Sequence, residues 1–177
     1  MMGEAKKYIT YAAYPVKCAD NSKKGKFMST SNAPVVERRT SSHQMIKKFV
    51  DERTRMLSLY SDLAALHPYK DVTSVNELLT SFCEALIDYT ADAHFRLYRY
   101  IDDQRERRGN VLAIASQSYP IILDTTQDIL DFNDKYDSAE DEIFADVLEN
   151  DLSIIGERLA DRIAVEDRVI EALIARR

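Results

Sequence analysis

Ser81-Phe-Cys-Glu-Ala-Leu-Ile-Asp-Tyr-Thr-Ala-Asp-Ala-His-Phe-Arg-Leu-Tyr98 decides the fold, because as a helix it carries apolar or aromatic side chains nearly all the way round, with one acid in their midst. At about 100° per residue, Phe82, Leu86, Tyr89 and Ala93 point one way, while Ile87, Ala91, Phe95 and Tyr98 point roughly the other. The second set flanks Glu84 and Asp88. Such a helix is either the buried centre of the fold or keeps an apolar, acidic outer face for another protein.

The segments on either side repeat the helical period. From Ser41 or Ser42, a capping serine leads into Met45, Ile46, Phe49, Val50, Met56, Leu57, Tyr60 and Leu63 at three-to-four spacing. This first helix stops near His67-Pro68, since proline disfavours a helical conformation in the residue before it. Ser74 with Glu77 forms a capping-box pattern that opens a second helix running to about Arg107, and Gly109-Asn110 breaks it. A third helix carries Val111, Leu112, Ala115, Ile122, Leu123, Thr126, Ile129 and Leu130, and Pro120 should kink or split it. Ser138 to Asp141 opens the last helix, whose stripe is Ile143, Val147, Leu148, Leu152, Ile155, Leu159, Ile163, Ile170 and Leu173. The pattern predicts an all-α chain: an antiparallel four-helix bundle over residues 41–177, preceded by a flexible basic arm over residues 1–40.

Composition supports this. A chain of 177 residues with 45% hydrophobic content builds one core rather than two, and only four glycines and four prolines leave few places to turn. Cys18 and Cys83 lie in unlike segments and form neither a disulfide framework nor a metal pair, which fits a reducing cytoplasm. No apolar run reaches membrane-spanning length, and Tyr8 to Val16 is too polar and too brief for a signal-peptide core, so neither export nor a membrane partner is expected.

Charge is divided unevenly. Residues 1–27 hold six lysines against two acids, which leaves 18 bases and 28 acids, a net of −10, in residues 28–177. Nucleic-acid phosphates repel such a body, and basic proteins attract it. Acidity also serves solubility alone. Met28 offers a second start, and an upstream extension accounts for the first 27 residues more simply than a tether to RNA or membrane does.

Four-helix bundles often house metal, but His43, His67 and His94 are scattered and no Glu-x-x-His occurs, so neither metal nor cofactor is expected. His94 lacks the small residues and lysine that follow a phospho-accepting histidine, and is read as a histidine at the core's margin, hydrogen-bonded to a polar neighbour. Glu166 falls on the apolar stripe of the last helix with Asp167 beside it. A carboxylate buried there needs a partner, and Arg53 on the first helix is the candidate. No nucleophile with its base, glycine-rich phosphate loop or cofactor fingerprint accompanies these acids, so no catalytic residue is assigned.

Phe82-Cys83, Leu86-Ile87-Asp88-Tyr89, His94-Phe95 and Tyr98, together with Ile155-Gly156-Glu157, Leu159, Arg162, Glu166-Asp167 and Arg53 followed by Leu57, resemble the signature of the bacterial regulator of sigma D and AlgQ family. The resemblance spans about residues 42–175. It implies a cytoplasmic anti-sigma factor that binds region 4 of the primary sigma factor, the helix-turn-helix domain that reads the promoter −35 element, and so lowers housekeeping transcription. It places the binding acid at Asp88; Glu84, Ile87, Asp92, Phe95 and Tyr98 around it complete the expected sigma-binding set, of which Glu84 and Asp92 depart from the family's pattern. A monomer forming a 1:1 complex, with no direct nucleic-acid contact, follows. The alternative within binding proteins is a helical adaptor for a phosphotransfer or stringent-response protein.

Overall fold

The computed structural model describes residues 35–102, 106–137 and 145–175. Helix α1 runs Val35–Ala64, and α2 runs Val72–Asp92, continuing through a π-helical stretch Ala93–Tyr98 into the α-turn Arg99–Asp102. Helix α3 is Gly109–Tyr136 and α4 is Ala145–Ile174. No strand occurs among the described residues.

Cross-links between the helices fix their directions. Phe49 stacks on Tyr89 and Tyr60 tilts against Phe82, so α1 and α2 run oppositely. Arg158 bonds Asp128 and Lys135 bonds Asp151, which makes α3 and α4 antiparallel. Arg53 reaches Asp167 while Tyr60 reaches the Leu152 carbonyl, so α4 also opposes α1. Helix α1 packs chiefly on α2 and α3 chiefly on α4; α2 meets α3 and α1 meets α4 along thinner seams. The antiparallel four-helix bundle expected from the apolar periods is the observed fold.

Burial follows the stripes. Phe49, Met56 and Leu63 from α1, Leu79, Phe82, Leu86 and Tyr89 from α2, Val111, Ile122 and Ile129 from α3, and Leu148, Ile155, Leu159 and Val169 from α4 form one core. Val147, placed on the α4 stripe by sequence, is 43% exposed.

Several boundaries differ from the sequence reading. Helix α1 begins at Val35, directly after Pro34, because Val-Val-Glu-Arg-Arg continues the helix upstream of the serines. Asp71, not Ser74, caps α2: its carboxylate accepts from the Ser74 amide at 3.4 Å and hydroxyl at 2.7 Å. Gly109 and Asn110 start α3 rather than interrupt the chain, which turns at 106–108. Pro120 lies inside an unbroken α3. Both Ser116 and Pro120 are exposed, so the carbonyl left without an amide donor faces water. Residues 1–34 of the arm, the expected opening of the last helix at Ser138–Asp141, and Ile143 lie outside the described residues.

The turn between α2 and α3 is closed by one acid. The Glu106 carboxylate accepts from the Arg107 and Arg108 amides at 2.9 and 2.7 Å and from the Arg108 guanidinium at 3.0 and 2.8 Å. Thus held, Arg108 donates to the Ala172, Leu173 and Ala175 carbonyls, capping the end of α4.

Candidate functional site

Asp88 stands on the outer side of α2 with its side chain 68% exposed, directly after buried Ile87 and before buried Tyr89. Arg55 of α1 approaches it at 3.8 Å and lies equally far from Glu52, a loose, solvent-screened arrangement that leaves the Asp88 oxygens accessible. Glu84, one turn earlier, is exposed as well. Phe95 is 39% exposed, its ring edge-on to His94 at 5.1 Å, and His94 is half-buried at the core's margin. Asp92 is half-buried and accepts from Arg96 at 2.7 Å.

The remaining two members of the expected surface set point elsewhere. Ile87 and Tyr98 are 7% and 8% exposed, so in this chain they belong to the core. Tyr98 is turned inward by the π-helical stretch, in which the Arg99 amide bonds the His94 carbonyl five residues back. The wider turns delay its phase relative to an α-helix. Glu84, Asp88 and Phe95 therefore make up the exposed part of the set, with Asp92 at its edge.

Behind this face lies a buried polar network. Glu166 is wholly buried and accepts from Arg162 Nε at 2.9 Å and from the Tyr89 hydroxyl. Arg162, 1% exposed, extends its Nη1 to the hydroxyls of Thr125 and Thr126, at 3.2 and 2.9 Å, and to the Ile122 carbonyl at 3.3 Å. Its guanidinium also lies over the Tyr89 ring, 5.6 Å from the centroid. Burial pushes the Glu166 carboxyl up, against the opposing pull of Arg162 and the Tyr89 hydrogen bond. Burial likewise raises the Tyr89 and Tyr98 hydroxyls, and that of Tyr98 has no hydrogen-bond partner among the described residues.

The partners of the two acids differ from the sequence reading. Arg53 serves Asp167, at 2.6 Å near the surface, and Glu166 is served by Arg162. Arg162 was identifiable: it lies four residues before Glu166 on the same buried stripe, the spacing at which helical side chains meet.

Glu166 is closed off from any substrate by Arg162 and Tyr89, whereas Asp88 offers a charged acceptor to an incoming donor. Among the described residues, no three His, Cys, Asp or Glu side chains gather to hold a metal ion, and no helix is long and apolar enough to cross a membrane.

The family described as "Regulator of RNA polymerase sigma(70) subunit, Rsd/AlgQ" matches residues 28–174. The chain is 32% identical over 139 residues to the regulators of sigma D of Salmonella typhi, Salmonella paratyphi B (strain ATCC BAA-1250 / SPB7) and Salmonella newport (strain SL254), covering 77% of this chain and 85% of each relative. No solved structure matches.

Proposed function

Because this chain belongs to the Rsd/AlgQ family of regulators of the RNA polymerase sigma(70) subunit, we propose that it binds region 4 of the primary sigma factor in the cytoplasm, as a monomer in a 1:1 complex. The exposed carboxylate of Asp88, beside Glu84 and Phe95 on an acidic body, is the observation that carries this reading. A helix-turn-helix domain grips phosphates and base edges with arginine and lysine. Asp88 accepts a charge-assisted hydrogen bond from such a side chain and sets register, while the Phe95 ring supplies apolar contact. Occupying that surface excludes the −35 element and the polymerase core, which lowers housekeeping transcription without any catalysed reaction.

Competition tests the mechanism. A −35 duplex and this protein should be mutually exclusive on isolated region 4 of the cognate sigma factor, and raising salt should weaken the protein complex less steeply than the DNA complex. An acidic protein face has no condensed counterion layer to release, unlike a duplex with its slope of about −0.9 per neutralised phosphate. A stable ternary complex on a native gel would rule out occlusion.

A further inference from the structure

We propose that Arg55 is a displaceable counter-ion for Asp88: it sets how tightly that acid holds a partner's cation, and it moves onto Glu52 when the cation arrives. This rests on the sigma-binding reading of Asp88 and concerns how the same site is controlled. Nη1 of Arg55, on α1, stands 3.8 Å from Asp88 Oδ2 and 3.8 Å from Oε2 of Glu52, three residues earlier on its own helix. Both separations exceed hydrogen-bond length, so the guanidinium is shared between two acids and committed to neither.

Asp92 shows the contrast. One turn further along α2, it is half-buried and accepts from Arg96 Nε at 2.7 Å, so its charge is already engaged within the helix. Asp88 and Arg55 are both exposed, and the looser contact between them costs little to open.

An arginine or lysine of the partner approaches Asp88 against the like charge of Arg55, and the repulsion grows as the closing interface excludes water. Moving Arg55 into solvent would leave it without an acid. Glu52 removes that difficulty, because the (i, i+3) spacing on α1 lets the long Arg55 side chain close on it by bond rotation, with the backbone unmoved. The partner's cation then holds Asp88 while Arg55 holds Glu52, and all four charges are paired. For an ion pair this exposed, the effect on affinity is about twofold to fivefold.

Titration of the full chain with isolated region 4 of the cognate sigma factor at low salt tests this, with circular dichroism to check that helicity is unchanged. Arg55→Gln should bind about two to five times more tightly than the unaltered chain, and Arg55→Lys, which keeps the charge, should bind as the unaltered chain does. Arg168→Gln removes the same charge from an exposed position on α4, diagonally across the bundle from α2, and should tighten binding less. Glu52→Gln should weaken binding when Arg55 is present and have little effect when it is Gln, and the gain from Arg55→Gln should disappear in an Asp88→Asn background. Equal gains from Arg55→Gln and Arg168→Gln would overturn the proposal, since overall charge would then explain both. Weaker binding by Arg55→Gln would also overturn it, by making Arg55 a direct contact of the partner. If the unaltered chain binds and Arg55→Gln binds equally well, the role of Arg55 alone falls; if neither binds region 4, the sigma-binding reading falls and this proposal with it.

Discussion

Tyr60 is seated over Gly156: its hydroxyl donates to the Leu152 carbonyl at 3.0 Å across a helix position that carries no side chain. A methyl group at position 156 would stand 2.9 Å from Tyr60 Cζ and closer still to the hydroxyl. Alanine favours a helix interior by about 1 kcal/mol over glycine, but displacing the ring forfeits its hydrogen bond and its packing against Phe82. Gly156→Ala should therefore destabilise the bundle by about 1 kcal/mol, read as a lower urea midpoint. In a Tyr60→Leu background the same change should become stabilising, and identical effects in both backgrounds would show that the two residues are not coupled.

Asp88→Ala should weaken binding to sigma region 4 by about 1.5 to 3 kcal/mol, the range for a charge-assisted hydrogen bond, with helicity unchanged. Removing a carboxylate that is 68% exposed leaves no buried group unpaired. Titration calorimetry beside circular dichroism decides it. Undiminished affinity would remove Asp88 from the interface.

Arg162→Leu should cost about 3 to 5 kcal/mol in thermal or urea unfolding, because it leaves the buried Glu166 carboxylate without its cation and Thr125 and Thr126 without their donor. Replacing both Arg162 and Glu166 by leucine should cost less than the single change, since no charge then remains in the core. A double variant as unstable as the sum of the singles would show that the pair does not act as a unit.

Acid should loosen the α2–α3 turn. The Arg108 guanidinium, with the two backbone amides, holds the Glu106 carboxyl below the usual glutamate range. The folded-state value is depressed, so its stabilisation is fully present above about pH 4.3 and is lost as pH falls through the lower, folded-state value. Glu106→Gln should flatten that part of the acid-unfolding curve and lower stability at neutral pH. An unchanged curve would take Glu106 out of acid sensitivity.

Much of the architecture follows from local patterning. Long apolar stripes such as Phe49, Met56 and Leu63, with few glycines or prolines to interrupt them, admit little besides a helical bundle. The outward placement of Glu84 and Asp88 also follows from the α-helical period. What periodicity could not supply was choice between nearby equivalents. Ser74 and Asp71 both resemble caps, and Arg53 and Arg162 both resemble partners for Glu166; the local contact won each time, Asp71 three residues before Ser74 and Arg162 four residues before Glu166 on the same helix. Tyr98 was misplaced because counting 100° per residue assumes an α-helix throughout, and residues 93–98 do not keep that turn.

That π-helical stretch amounts to a surplus residue stored within α2. Its consequence concerns chain length. Deleting one residue between Ala93 and Leu97 should let the helix rewind as regular α while the segment beyond it keeps its orientation, whereas a deletion between Phe82 and Tyr89 would rotate every later side chain off its neighbours. Length variation should therefore be tolerated in the π-helical stretch that follows Asp92 and rejected upstream of it, between Phe82 and Tyr89.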